Sequence, residues 1–189
     1  RKKLILKLCI IKSLIKKECS KGLIADWFFS VHLLGVEKFA KWLLSKLPKA
    51  NKEIVMLGVW LHDLQRIRGL KGDHQKIGAR EAEKVMKQFG YNKLTIDKVQ
   101  KIILSHSCFN DQKPKTVEGK ILATADAMAH YHNDFYLQIA VTGQRSLKGY
   151  KEWVLEKLDR NYNVKICFPF AKKKIKARHD LFKKVFTMK

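Results

Sequence analysis

Proline is scarce in this chain, with three residues in 189, and only ten glycines are spread along it, so no stretch has the composition of a flexible linker. A single domain over residues 1–189 is therefore expected, and a 46% hydrophobic content is enough for one core. Cysteine is scarce as well. Cys9, Cys19, Cys108 and Cys167 lie far apart with no C-x-x-C pair to suggest zinc or thiol redox chemistry, and they read as packed, reduced thiols in a cytoplasmic protein. No apolar run reaches the roughly 20 residues that span a bilayer. Lys7 and Lys12 interrupt the opening RKKLILKLCIIKSLIKK, and no small-residue cleavage site follows it. The chain starts with Arg rather than Met, so residues are expected to have preceded Arg1. Acidic residues are in deficit too: 17 Asp+Glu stand against 40 Lys+Arg, a net charge of +23. Such a field attracts phosphate esters and nucleic acid alike. The lysines run from Lys2 to Lys189 without forming one stripe, the pattern of a solvated basic surface.

Sustained period-two alternation is missing, whereas apolar residues at three- and four-residue spacing run nearly throughout, so the fold class is all-α, a compact multi-helix bundle. Leu4, Leu8, Ile11 and Ile15 define an amphipathic helix over 1–20 that docks on the bundle. A second helix is predicted from an Asp26 cap through WFFSVHLLGVEKFAKWLLSKL, stopped by Pro48. A third covers Lys52 to Leu64, and the glycines of RGLKG mark the loop after it. Asp73 caps HQKIGAREAEKVMKQF, which Gly90 closes, and Thr95 caps the helix carrying IDKVQKIILSHS. After the loop CFNDQKPK, a long helix is expected from Thr116 to Val141, another around Tyr150 to Tyr162, and a basic surface helix from Phe170 to the end. The core is placed at about 26–141, with helices of 150–189 packed on it.

Several ionisable residues lie on the apolar faces of these helices. Phe28, His32, Val36 and Phe39 share a stripe; His62 ends the most hydrophobic helix; Asp126 stands inside ILATADAMA. His74 lines up with Gly78, Ala82 and Val85, and His106 with Ile96, Val99 and Ile103. A lone histidine on an apolar face is more often a hydrogen-bonded core residue than a ligand. Six inward groups, counting Asp63 beside His62, would cost more than a small domain can spare unless something compensates them. Imidazole and carboxylate together suit a divalent ion such as manganese, iron, cobalt, nickel or zinc, and helical bundles build such sites from facing helices. The adjacent His62-Asp63 pair can aim two donors from one helix end.

The order His, His-Asp, Asp on successive helices resembles the HD-domain metal-dependent phosphohydrolases. ADWFFSVHLLGVEKFA, WLHDLQR, DHQKIGAREAEKVMKQFG, KIILSHS and KTVEGKILATADAMAHY are similar to successive segments of that family, over roughly Asp26 to Tyr131. The resemblance implies that His32, His62, Asp63 and Asp126 bind one divalent metal, magnesium being a further candidate. It also implies that His74 and His106 either bind a second metal bridged by Asp63 or contact the substrate phosphate. His106 is followed by Ser107 rather than a second histidine, which departs from the two-metal cyclic-dinucleotide type. Gln65 and Arg66 stand where alarmone hydrolases carry a Glu-Asp pair.

The implied activity is hydrolysis of a phosphate ester, a nucleotide or related small metabolite, with Asp63 orienting the water and His74 or His106 protonating the leaving oxygen. Arg66 and Lys71 are candidates for binding phosphate, and His130, one turn after Asp126, for lining the pocket. Two other readings are a nuclease acting on single-stranded nucleic acid and a non-catalytic basic nucleic-acid-binding or regulatory protein. Scattered lysines count against the first, and intact ligands against the second.

Overall fold

In the computed structural model, which describes residues 2–109, 112–131, 134–143 and 145–188, all regular structure is helical. Helix α1 (Lys2–Cys19) buries Ile11 and Ile15 completely and Leu8 partly; the Leu4 side chain lies outside the described set. Its C-terminal end is tied down by charge. Arg68 donates to both oxygens of Glu18 at 2.7 Å and to Glu81 at 2.5 Å, joining three parts of the chain.

A π-helical turn (Phe28–Leu33) runs into α2 (Leu34–Lys46), and Phe28, His32, Val36 and Phe39 are all buried along it. The expected Asp26 cap is not used: Trp27 precedes the π turn and no side chain caps it. In α3 (Lys52–Leu61), capped by Asn51, every residue from Ile54 to Leu61 is buried, as a helix apolar on all sides requires. It stops three residues before the expected Leu64, because His62 and Asp63 form a turn that leads into α4 (Leu64–Ile67).

Asp73 caps α5 (His74–Gln88) as expected, accepting from the amides of Gln75 and Lys76. Gly90 closes it at φ +64°, which lets the Tyr91 amide reach Met86 O at 3.1 Å. In α6 (Lys93–Ser105) the cap is Asn92, whose side chain accepts from Thr95 N, so Thr95 lies inside the first turn. The long helix expected over 116–141 is two: α7 (Val117–His130), capped by Thr116, and α8 (Phe135–Thr142). His132, expected on the same helix as Asp126, lies outside the described residues.

The chain continues through α9 (Leu147–Arg160), a π-helical turn (Asn161–Lys165) and α10 (Pro169–Thr187). Helix α10 is more than a surface element, since Ala171, Ile175 and His179 are buried beneath it. Helix α7 is the axis of the bundle: Ile121 through Tyr131 are all buried, and its alternating alanines let α2, α3 and α6 pack against it. Among the described residues, no helix is long and apolar enough to cross a membrane.

Candidate metal centre

Four residues from three segments converge on one buried point. His32 comes from the π turn before α2, His62 and Asp63 from the break between α3 and α4, and Asp126 from the middle of α7. All four are at most 5% exposed. His32 Nε2 lies 3.1 Å from Asp63 Oδ2 and 3.5 Å from Asp126 Oδ1; His62 Nε2 lies 3.4 and 3.9 Å from the same two atoms. The helix break is what lets His62 and Asp63 face the same way. It is held from behind by Gly78 of α5, where a Cβ would stand 3.0 Å from the His62 carbonyl oxygen, so a side chain there would press on the backbone of the His62-Asp63 turn.

The protonation pattern fits a cation. His62 Nδ1 donates to Val59 O at 3.0 Å, which leaves a lone pair on Nε2, and that atom is buried with no hydrogen-bond partner. A buried, unpartnered imidazole nitrogen between two carboxylates is the arrangement a divalent ion satisfies. Burial opposes ionisation of Asp63, but His62, His32, His74 and Arg66 hold its carboxyl well below the usual carboxylate range. Asp126 is likewise held well below that range against burial, chiefly by Lys165 and His130.

Asp63 also faces the other way. His74 Nε2 is 3.0 Å from Asp63 Oδ1, and ligand atoms of Asp63, His74 and His106 lie within 4.8 Å of one another. His74 Nδ1 points at Gln65 Oε1 at 3.0 Å, and His106 Nδ1 at Ile103 O at 2.6 Å. Burial, with His62 and Lys165 adding to it, pushes His106 down to about 3, so its imidazole is neutral. A third group of donor atoms joins His32, Asp126 and His130.

These residues form the floor of a cavity of about 560 Å³. Its wall is cationic: Arg66, Arg145, Lys157, Arg160 and Lys165 all line it, and Lys165 Nζ bonds Asp126 Oδ2 directly. Burial, reinforced by Lys165, lowers Lys157 to about 7. Aromatic rings complete the wall, with Arg160 4.1 Å over Phe109 and Arg145 4.8 Å over Trp153.

Of the residues singled out from sequence, His32, Asp63, His74, His106, Asp126, Arg66 and His130 all line this cavity, and His62 lies fully buried behind Asp63, 3.4 Å from its carboxylate. Lys71 does not: it is exposed in the loop before α5 and stands off the cavity wall. Four cationic wall residues were missed, all in the C-terminal part. Lys165 alone left a trace, as a single charge inside the apolar run VKICF. His179 stacks on Tyr162 and bonds Tyr131, away from the centre, in keeping with its omission from the site.

Comparison with known proteins places these features. The family model for the HD domain matches residues 29–130. A crystal structure of an HD-superfamily hydrolase from Bacillus thuringiensis superposes with a TM-score of 0.68 at 17% identity, covering 96% of this chain and 94% of that one. No curated protein sequence matches.

Proposed function

Because this chain belongs to the HD-domain family, we propose that it is a metal-dependent phosphohydrolase acting on a nucleotide or a related small phosphorylated metabolite. The observation that carries this reading is the unpartnered His62 Nε2 beside two carboxylates that line the floor of a cavity whose wall is cationic. His32, His62, Asp63 and Asp126 would hold one divalent ion. When bound, such an ion supplies Lewis-acid polarisation of a phosphoryl oxygen and a water acidic enough to react near neutral pH. Asp63 accepts the hydrogen bond that orients that water. Arg66, 57% exposed at the rim with Nε 3.4 Å from Asp63 Oδ1, turns its remaining donors to phosphate oxygens. Arg160 and Lys157 meet further negative charge along the wall, and the rings of Trp153 and Phe109 offer faces on which a base can stack. His106 and His74 face Asp63 from the other side and hold either a second ion or the leaving oxygen.

A screen of nucleotides, sugar phosphates and short oligonucleotides against manganese, magnesium, nickel, cobalt and zinc tests the reading. Turnover of a small nucleotide that requires added metal and disappears in Asp63→Ala is expected. Turnover indifferent to chelator contradicts it. One observation favours a nuclease as second reading: a groove lined by Lys76, Lys101, Lys113 and Lys115 shares Gln75 with the cavity and can carry a phosphodiester backbone.

A further inference from the structure

Five histidines surround the carboxylates, and three of them, His62, His106 and His130, reveal which nitrogen holds the proton. In His62, His74 and His106 the Nδ1 atom faces an oxygen: Val59 O, Gln65 Oε1 and Ile103 O respectively. The Gln65 amide is oriented by its own Nε2, which donates to Leu70 O, so Oε1 is the atom that meets His74. The His62 and His106 rings therefore donate from Nδ1 and keep the lone pair on Nε2, the state of a metal-ligating imidazole, whereas His74 has an oxygen at each end, with Asp63 Oδ1 3.0 Å from its Nε2.

His130 is reversed. Its Nδ1 faces an amide nitrogen, Asn161 Nδ2 at 3.0 Å, so Nδ1 accepts and the proton resides on Nε2. The opposite end of the ring agrees, since His130 Nε2 looks onto Asp126 Oδ1 at 3.5 Å, and a carboxylate oxygen can only accept. Both partners are deeply buried, His130 at 4% and Asn161 at 0% exposure, so water does not compete for either contact. The ring itself is held in place by stacking on His32 at 5.2 Å with only 6° between planes.

We propose that Asn161 is a positioning residue that removes His130 from the ligand set. Although its nitrogen lies within ligand distance of His32 and Asp126, His130 serves as a neutral hydrogen-bond donor, to Asp126 in the free protein and to a substrate oxygen in the cavity it lines. The π-helical turn Asn161–Lys165 is what makes this possible, because it brings Asn161 against His130 and Lys165 against Asp126 from the same short segment. The assignment rests on the metal-site reading above.

Imidazole nitrogen NMR of the metal-free protein tests the inference, and its outcome does not depend on whether the enzyme turns over. His130 is expected in the Nε2–H tautomer while His62 and His106 show Nδ1–H in the same spectrum. A His130 in the Nδ1–H form overturns the proposal even if metal binds as expected. Asn161→Asp supplies an acceptor in place of the donor, so His130 should switch to Nδ1–H and metal affinity by calorimetry should tighten about 10-fold. Unchanged affinity in a variant whose His130 has switched tautomer overturns the ligand-exclusion role.

Discussion

Residue by residue, the centre combines groups that are costly to bury, and two consequences can be measured without substrate. Lys165 neutralises Asp126 from a 3% exposed position. Lys165→Met leaves that carboxylate with one cationic partner fewer, and breaking a buried pair from one side costs about 3 kcal/mol or more. The melting temperature of the metal-free protein should fall by about 6–12 °C. An unchanged melting temperature would show that Lys165 carries no structural weight. The second consequence concerns pH. His106 sits at about 3 in the folded protein against an unfolded value near 6.5. Its folded pKa is depressed, so the unfolded chain takes up the proton first, and stability is lost progressively as pH falls from about 6.5 toward 3. Between pH 7.5 and 5 the metal-free protein should lose about 2 kcal/mol through His106, and His130, also lowered well below its ordinary value by burial and by Lys157, adds in the same direction. Urea midpoints at the two pH values measure this; equal midpoints contradict a neutral buried His106.

Among the elements, the decisive one is the break between α3 and α4, which turns His62 and Asp63 together into the core. Gly78 permits it. A valine there meets the His62 carbonyl, a backbone atom that cannot rotate aside, so Gly78→Val should shift the His62-Asp63 turn and weaken metal binding about tenfold while helical content persists. Calorimetric titration would expose the opposite result, full affinity in the variant. Most helices and the gathering of the inward polar residues were legible in sequence because each is written locally: Asp73 caps, Gly90 closes, and the apolar stripes through His32, His74 and His106 keep strict helical spacing. What was not legible depends on contacts distant along the chain. The end of α7 at Tyr131 follows no proline or glycine, and the π turn that carries Asn161 and Lys165 has no pattern of its own. Lys157 and Arg160 look like any other basic residues on α9 until tertiary packing turns them onto the cavity.

At the scale of the whole molecule, the charge of +23 divides into two parts. A few cations line the cavity, where they meet phosphate at close range; the remainder give a diffuse field. Binding of oligonucleotides through that field should be non-specific and fall at least about 10³-fold between 50 and 200 mM salt if six or more phosphates are contacted. Turnover of a small nucleotide should survive the same change. Oligonucleotide hydrolysis that persists at high salt would favour the nuclease reading and the groove of Lys76, Lys101, Lys113 and Lys115.

The central claim is that His32, His62, Asp63 and Asp126 hold a divalent metal ion, and metal content per chain tests it most directly. Wild-type protein, loaded with metal and passed through a desalting column, is expected to retain at least one equivalent by mass spectrometry. Asp63→Ala with unchanged circular dichroism is expected to retain none. Equal metal content in the two proteins, or none in the wild type, would contradict the assignment.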